Sequence, residues 1–202
     1  MRSGLSLHQK IIKRSFDILF STIGLIVAFP IIFLSWFIAT IETKSNGIFF
    51  QKRIGQHGKT FYLFKIKTMN DDKNNKIKIT VSNDPRITQS GIIFRKYKID
   101  ELPQLFNVLI GDMSFVGPRP DVEGYADKLS PEDKIILSIK PGITGPASIK
   151  YSNEEEILAK VDNPKIYNDE IIWPDKVTIN IDYINRYSFF KDIRYIFETI
   201  LK

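Results

Sequence analysis

The sequence predicts an α+β, mostly helical fold, in which an N-terminal membrane segment leads into one compact domain faced by amphipathic helices. Three observations lead there. Residues 18–41 carry no charged side chain, and at about 1.5 Å per residue such a helix matches a hydrocarbon core of about 30 Å. Two short β-prone runs, Ile48 to Arg53 and Lys59 to Thr68, flank the turn-like Gly55-Gln56-His57-Gly58. Apolar residues then recur at helical spacing around Ile92, from Leu102 to Leu109 and from Phe189 to Ile200.

The apolar segment is too long for a cleaved signal peptide and no small-residue cleavage site follows it. Lys10, Lys13 and Arg14 precede it while Lys44, Lys52 and Arg53 follow it, so both flanks favour the cytoplasmic side. Pro30 deletes a backbone hydrogen bond near the middle and costs about 3 kcal/mol in an unkinked helix. Hydroxyls at Ser21, Thr22, Ser35 and Thr40 are available to freed backbone groups. From the residues alone, a kinked spanning helix and a sharp bend both stand.

Next comes the hairpin, whose Lys65 and Lys67 read as lysines on the wet face of a half-buried strand. The polar stretch Asn70 to Asn83 reads as a loop, and Thr88 to Lys98 as an amphipathic helix with basic residues for headgroups. The stretch from Phe94 to Pro120 concentrates the chemistry. Leu102, Leu105, Phe106 and Leu109 predict a short helix capped at Gly111. Asp100 and Glu101 then fall at its positive end, where carboxylates stay ionised and phosphates are attracted. Arg95 and Lys98 lie upstream, and Arg119 stands between Pro118 and Pro120, which present its guanidinium at little ordering cost.

Ser130-Pro131-Glu132-Asp133 predicts another helix start, ending before Pro141. Residues 152–176 form either a specificity insert or, slightly favoured, a surface excursion. The last helix, with Phe189, Ile193, Ile196, Phe197 and Ile200 in register, fits a membrane interface or the closing of the core.

Composition narrows the function classes. A length of 202 residues suits one domain plus an anchor. The net charge of +6 and pI near 9.3 favour anionic partners: nucleic acid, anionic lipid or phosphorylated substrates. The absence of cysteine excludes disulfides, thiolate catalysis and cysteine metal sites. His8 and His57 alone supply neither a zinc cluster nor a convincing Ser-His-Asp triad.

The run Asp100-Glu101-Leu102-Pro103-Gln104-Leu105, Asn107-Val108-Leu109, Gly111-Asp112-Met113-Ser114 and Val116 to Pro120 resembles the signature of the bacterial sugar transferases, small monotopic phosphoglycosyl transferases. Phe64-Lys65-Ile66-Lys67-Thr68-Met69, Asn83 to Thr88 and Lys140-Pro141-Gly142-Ile143-Thr144-Gly145 resemble further family stretches. The resemblance implies transfer of a sugar-1-phosphate from a UDP-sugar to a polyprenyl phosphate such as undecaprenyl phosphate. It further implies that UMP is released, that Mg2+ is the cofactor and that a covalent aspartyl intermediate is formed, as the first membrane step of a surface glycan pathway.

It also implies roles: Asp100 as nucleophile, Glu101 as supporting acid, both near the metal, with Arg95, Arg119, Lys140, Lys65 and Lys67 on substrate phosphate. It implies a re-entrant helix-break-helix over residues 1–47, bent at Pro30, and a cytoplasmic catalytic domain over 48–202 at the bacterial inner membrane. Phe29 stands where the family commonly has serine before the proline, and Pro146 where tryptophan is often found. The expected partners are the UDP-sugar, the polyprenyl phosphate and the bilayer, with no nucleic acid. The rival reading, a tethered basic module binding anionic lipid or nucleic acid, accounts for the charge but not for the Asp100-Glu101 pair.

Overall fold

The computed structural model describes residues 4–70 and 84–201; the expected loop over 71–83 lies outside them. The first element is one helix, α1 (Leu7–Thr43), which continues through Pro30. Ser6 opens it with a capping box, its hydroxyl accepting from the Gln9 amide while the Gln9 side chain takes the Ser6 amide. The expected division into two helices at Pro30 is therefore not seen. Packing offers a reason: Pro30 faces outward, whereas Ala28 and Ile32 on either side of it are buried and hold the helix against the domain. The hydroxyls of Thr22 and Thr40 bond the carbonyls of Ile18 and Trp36, away from the proline.

A stripe of Lys13, Asp17, Ser21, Ala28, Ile32, Ser35 and Ala39 is buried along α1, the spacing of one helix face. The opposite face exposes apolar side chains including Ile26, Val27, Phe29, Leu34 and Phe37. Near its start, Lys13 donates to Asp192 at 2.5 Å and Asp17 accepts from Ser114 Oγ and the Phe115 amide. Near its end, Glu42 accepts from the Ser90 amide and hydroxyl, and Thr40 Oγ1 accepts from the Gly47 amide.

The two β-prone runs form an antiparallel hairpin, β1 (Ile48–Ile54) and β2 (Thr60–Ile66), with Phe50 opposite Phe64. Helix α2 (Gln89–Lys96) is capped by Thr88, whose hydroxyl accepts from the Gly91 amide, and exposes Ile92 and Ile93. Helix α3 (Gln104–Ile110) ends at Gly111 with φ of 97°, the left-handed cap that glycine favours. Arg14 of α1 donates to the carbonyls of Val108 and Leu109 at 2.6 and 2.7 Å, a cation on the negative helix end. The buried face of α3 differs from the expected one: Phe106 is exposed, while Gln104, Leu105, Asn107 and Val108 turn inward.

Asn107 explains the shift. Its Oδ1 accepts from the Phe64 amide at 3.0 Å and its Nδ2 donates to the Tyr62 carbonyl at 2.7 Å, joining α3 to the open edge of β2. Its own carbonyl takes the amides of Gly111, Asp112 and Met113.

The short strands β3 (Ser114–Val116) and β4 (Gly142–Thr144) pair in parallel. The contact is tight enough to require glycine: a Cβ on Gly142 would stand 2.1 Å from the Gly117 nitrogen, and one on Gly145 2.4 Å from the Gly117 oxygen. Between the strands, the expected helix after Ser130 is a 3₁₀ segment, Asp133–Ser138, entered by reciprocal bonds between Ser130 and Asp133.

Helices α4 (Pro146–Lys150), α5 (Glu154–Leu158), α6 (Pro164–Tyr167), α7 (Trp173–Asn185) and α8 (Phe189–Ile200) follow, with a single π turn at Asn168–Ile172. One core gathers Val116, Ile136, Ile139, Val177 and Tyr183, and another joins α1 to Ile66, Phe94 and Leu105. Phe115 packs against both.

Candidate active site

Asp100 and Glu101 lie in a 3₁₀ turn, Ile99–Glu101, and not at the cap of α3, where Pro103 stands. The turn begins at Lys98, whose φ of 56° is unusual for a side-chain-bearing residue. The amides of Glu101, Leu102, Leu105 and Phe106 are used within these turns. The expected anion site at a helix N-terminus is thus replaced by side-chain cations.

The turn forms one wall of a cavity of about 560 Å³ lined also by Arg53, Lys65, Arg95, Lys98, Arg119 and Asp121. Glu101 Oε1 receives Arg119 Nη2 at 2.5 Å and Lys65 Nζ at 3.0 Å. Burial alone would raise the Glu101 carboxyl, but the Arg119 and Lys65 charges hold it well below the usual range. Asp100 behaves oppositely. It is 8% exposed and its Oδ1 is buried without a hydrogen-bond partner. Burial pushes its carboxyl up, against the pull of Lys65 and then of Lys98 and Arg95, while Glu101 adds to the rise. Two adjacent carboxylates are therefore driven apart, one neutralised by a fixed double ion pair and one held among cations with no hydrogen bond to its buried Oδ1, the pattern that separates roles at reactive sites.

The far wall comes from the segment expected as a surface excursion. Asn153, Glu154, Trp173 and Lys176 of residues 152–176 line the same cavity, together with Tyr151 and Asn180 just outside that segment. Tyr151 donates to Asp175 at 2.6 Å, and Lys176 pairs with Glu154 at 2.5 Å. Burial pushes Asp121 up to about 7 despite Lys176, Arg53 and Arg119, and pulls Arg53 down to about 10 with Arg119 adding to the fall.

Of the expected phosphate ligands, Arg95, Arg119 and Lys65 come together here. Lys67 does not: it follows the end of β2 and donates to Ser45 Oγ at 2.7 Å. Lys140 is placed elsewhere, beside Arg14 near Gly111, because it precedes β4 and points toward the C-terminal end of α3. Arg53, Asp121, Lys176 and Asn180 were missed. Asp121 directly follows the Gly117 to Pro120 motif, which is a usable signal; Lys176 and Asn180 join through tertiary packing of α7 and carry none.

Among the described residues no group of three or more His, Cys, Asp or Glu could enclose a metal. A magnesium ion needs no such cage, since it binds through one or two carboxylates with water and substrate phosphate completing the shell. Asp100, whose Oδ1 makes no hydrogen bond, fits that requirement, whereas Glu101 Oε1 is already engaged by two cations.

The model of the bacterial sugar transferase family matches residues 8–202. The sugar transferase EpsL of Bacillus subtilis, itself described as uncharacterized, is 34% identical over 192 residues, covering 95% of this chain and 87% of that protein. The undecaprenyl-phosphate galactose phosphotransferase of Salmonella typhimurium is 32% identical, covering 95% of this chain and 40% of that protein. The UDP-glucose:undecaprenyl-phosphate glucose-1-phosphate transferase of Escherichia coli is 32% identical, covering 98% of this chain and 41% of that protein. The chain thus spans about two fifths of these two longer relatives.

Proposed function

The chain belongs to the bacterial sugar transferase family, and from that premise we propose that it transfers a sugar-1-phosphate from a UDP-sugar to a polyprenyl phosphate, releasing UMP. The names of the Salmonella and Escherichia relatives, which specify undecaprenyl phosphate with galactose or with UDP-glucose, support that reaction class. The observation that carries the reading is the contrast within the cavity. Asp100 is buried with no hydrogen bond to its Oδ1, while its neighbour Glu101 is fixed between Arg119 and Lys65.

In the proposed sequence, an Asp100 carboxylate oxygen attacks the phosphorus that carries the sugar, and the bond to UMP breaks. An oxygen of the polyprenyl phosphate then attacks the same phosphorus and returns Asp100 as a carboxylate. Lys65, Arg95, Lys98 and Arg119 neutralise phosphoryl oxygens in this scheme, and Glu101 orients Arg119 and Lys65. Asp100 would hold magnesium, which when bound supplies charge neutralisation on the diphosphate.

Topology belongs to the same proposal. Helix α1 is long and apolar enough to cross a bilayer, yet the domain engages it near both ends, through Lys13 and Asp17 at one and Thr40 and Glu42 at the other. Such an arrangement favours both ends of α1 staying on the domain's side of the membrane, its apolar face toward lipid and the domain at the cytoplasmic face of the bacterial inner membrane.

The test uses purified protein with UDP-sugar and magnesium but no lipid acceptor. A burst of UMP approaching one equivalent is expected, as covalent mechanisms produce, and Asp100→Asn should abolish it. UMP release that strictly requires the lipid would overturn the covalent step.

A further inference from the structure

A second cavity of about 380 Å³ adjoins the charged one, and its character is opposite. Leu102 and Leu105 come from the start of α3, Phe115 and Ile143 from the parallel strands, and Ile196 and Ile200 from α8. The two cavities share Lys98, Glu101, Arg119, Ser148 and Ser152. We propose that this groove seats the head-proximal part of the acceptor's isoprenoid chain, with the lipid phosphate at the wall formed by Lys98 and Arg119.

Three features select this occupant. The groove is mostly apolar, interrupted by the hydroxyls of Thr144, Ser148, Ser152 and Thr199, and carries Lys98 and Arg119 beside Glu101 at the wall it shares with the charged cavity, so it complements an amphiphile with an anionic head. A sugar nucleotide would leave most of its hydroxyls and phosphates against Leu102, Leu105, Phe115, Ile143 and Ile196 without partners.

The groove also backs directly on the membrane helix. Leu105 Cδ1 lies 3.2 Å from where a Cβ on Gly24 would stand, and the Phe115 ring is 5.8 Å from that of Phe16. Ile200, which lines it, is 72% exposed, and the adjacent Leu201 is 84% exposed. In this proposal the lipid chain enters there from the bilayer beside α1.

The shared wall then places the two reactants on either side of one residue pair. With the donor's phosphoryl group on Asp100, a lipid phosphate oxygen entering from the groove forms the new P–O bond as the bond to Asp100 breaks. The balance needs no oxidant, reductant or further proton.

This inference rests on the transferase reading, and the experiment separates the two. The full chain in detergent is irradiated with undecaprenyl phosphate carrying a diazirine near the phosphate end. Label is expected in the peptides containing Ile143 to Ile149 and Ile196 to Ile200, displaced by untagged undecaprenyl phosphate. Ile200→Glu, at an exposed position that folding does not depend on, should raise the KM for the lipid about tenfold, equivalent to about 1.4 kcal/mol, and leave the lipid-free UMP burst unchanged.

Label confined to other peptides, or an unchanged lipid KM in Ile200→Glu, would overturn the groove assignment. So would equal labelling by a diazirine phosphatidylglycerol that undecaprenyl phosphate does not displace. The wild-type burst, which needs no lipid, reports on the transferase reading alone.

Discussion

Replacing Lys65 with methionine removes the cation that acts most strongly on Asp100 while keeping an unbranched stem in the wall. Lys65 sits 3.0 Å from Glu101 with its side chain one-fifth exposed, so solvent screens it little. An opposite charge within about 4–6 Å lowers a carboxyl by about 1–3 units. Lys98 and Arg95 remain in the variant, so part of the pull on Asp100 survives. The sign follows from the chemistry: losing a cation disfavours the carboxylate, Asp100 rises further, and the fraction of ionised nucleophile falls at a given pH. The acid limb of kcat/KM for UMP release should therefore move toward higher pH. On that limb the variant should be slower beyond any loss on the plateau. The profile is measured at constant ionic strength between about pH 5 and 9, and Lys65→Arg should restore the limb. Acid limbs that superimpose for the wild type and Lys65→Met would refute the tuning of Asp100 by Lys65.

Four other outcomes are expected. Asn107→Ala takes the partner from the part-buried Phe64 amide and Tyr62 carbonyl; at about 1–3 kcal/mol for each orphan the range is about 2–6 kcal/mol, and because Tyr62 is exposed the low end is expected, read from denaturant midpoints. Arg119→Lys keeps a charge but cannot reach both Glu101 and the Ile143 carbonyl, so kcat/KM should fall about tenfold with an unchanged thermal midpoint; equal losses in both would make the residue structural. Asp121, held at about 7 against an ordinary 3.8, makes the fold less stable as pH rises between those values. Asp121→Asn should therefore raise the thermal midpoint more at about pH 8 than at about pH 5. Single cysteines replacing the exposed His8 and Lys59 should both resist an impermeant thiol reagent in intact cells, and labelling of one alone would indicate a spanning α1.

Local pattern made the apolar helix, the hairpin, α2, the Gly111 cap and α8 legible in the sequence. Each depends on residues adjacent along the chain, so periodicity and turn chemistry suffice. The register of α3 was not legible, because Asn107 is polar and buried only through its bonds to β2, a partner more than forty residues away. For the same reason the spacing of Phe106 misled. The Asp100-Glu101 pair does line the charged cavity, but the electrostatics of Asp100 differ from the expected ones: a dipole was expected to keep it ionised, whereas burial raises it and cations oppose the rise. Lys140 and Lys67 could not be sorted from Lys65 by sequence, since all three are lysines in motifs and only their places at strand ends separate them.

The glycine contact between β3 and β4 has a consequence for building hybrids between relatives. Gly117 opens the loop that carries Arg119, and Gly142 and Gly145 flank the carbonyl of Ile143 that Arg119 touches. A Cβ on Gly117 would also fall 2.5 Å from the Lys140 carbonyl. Neither backbone can shift without displacing the other. A hybrid that imports residues 114–120 from a donor whose partner strand sits differently would misplace the guanidinium even with every residue in its motif retained. Exchanging 114–120 and 140–145 together preserves the fit, so in recombination the two segments behave as one unit although nineteen residues separate them.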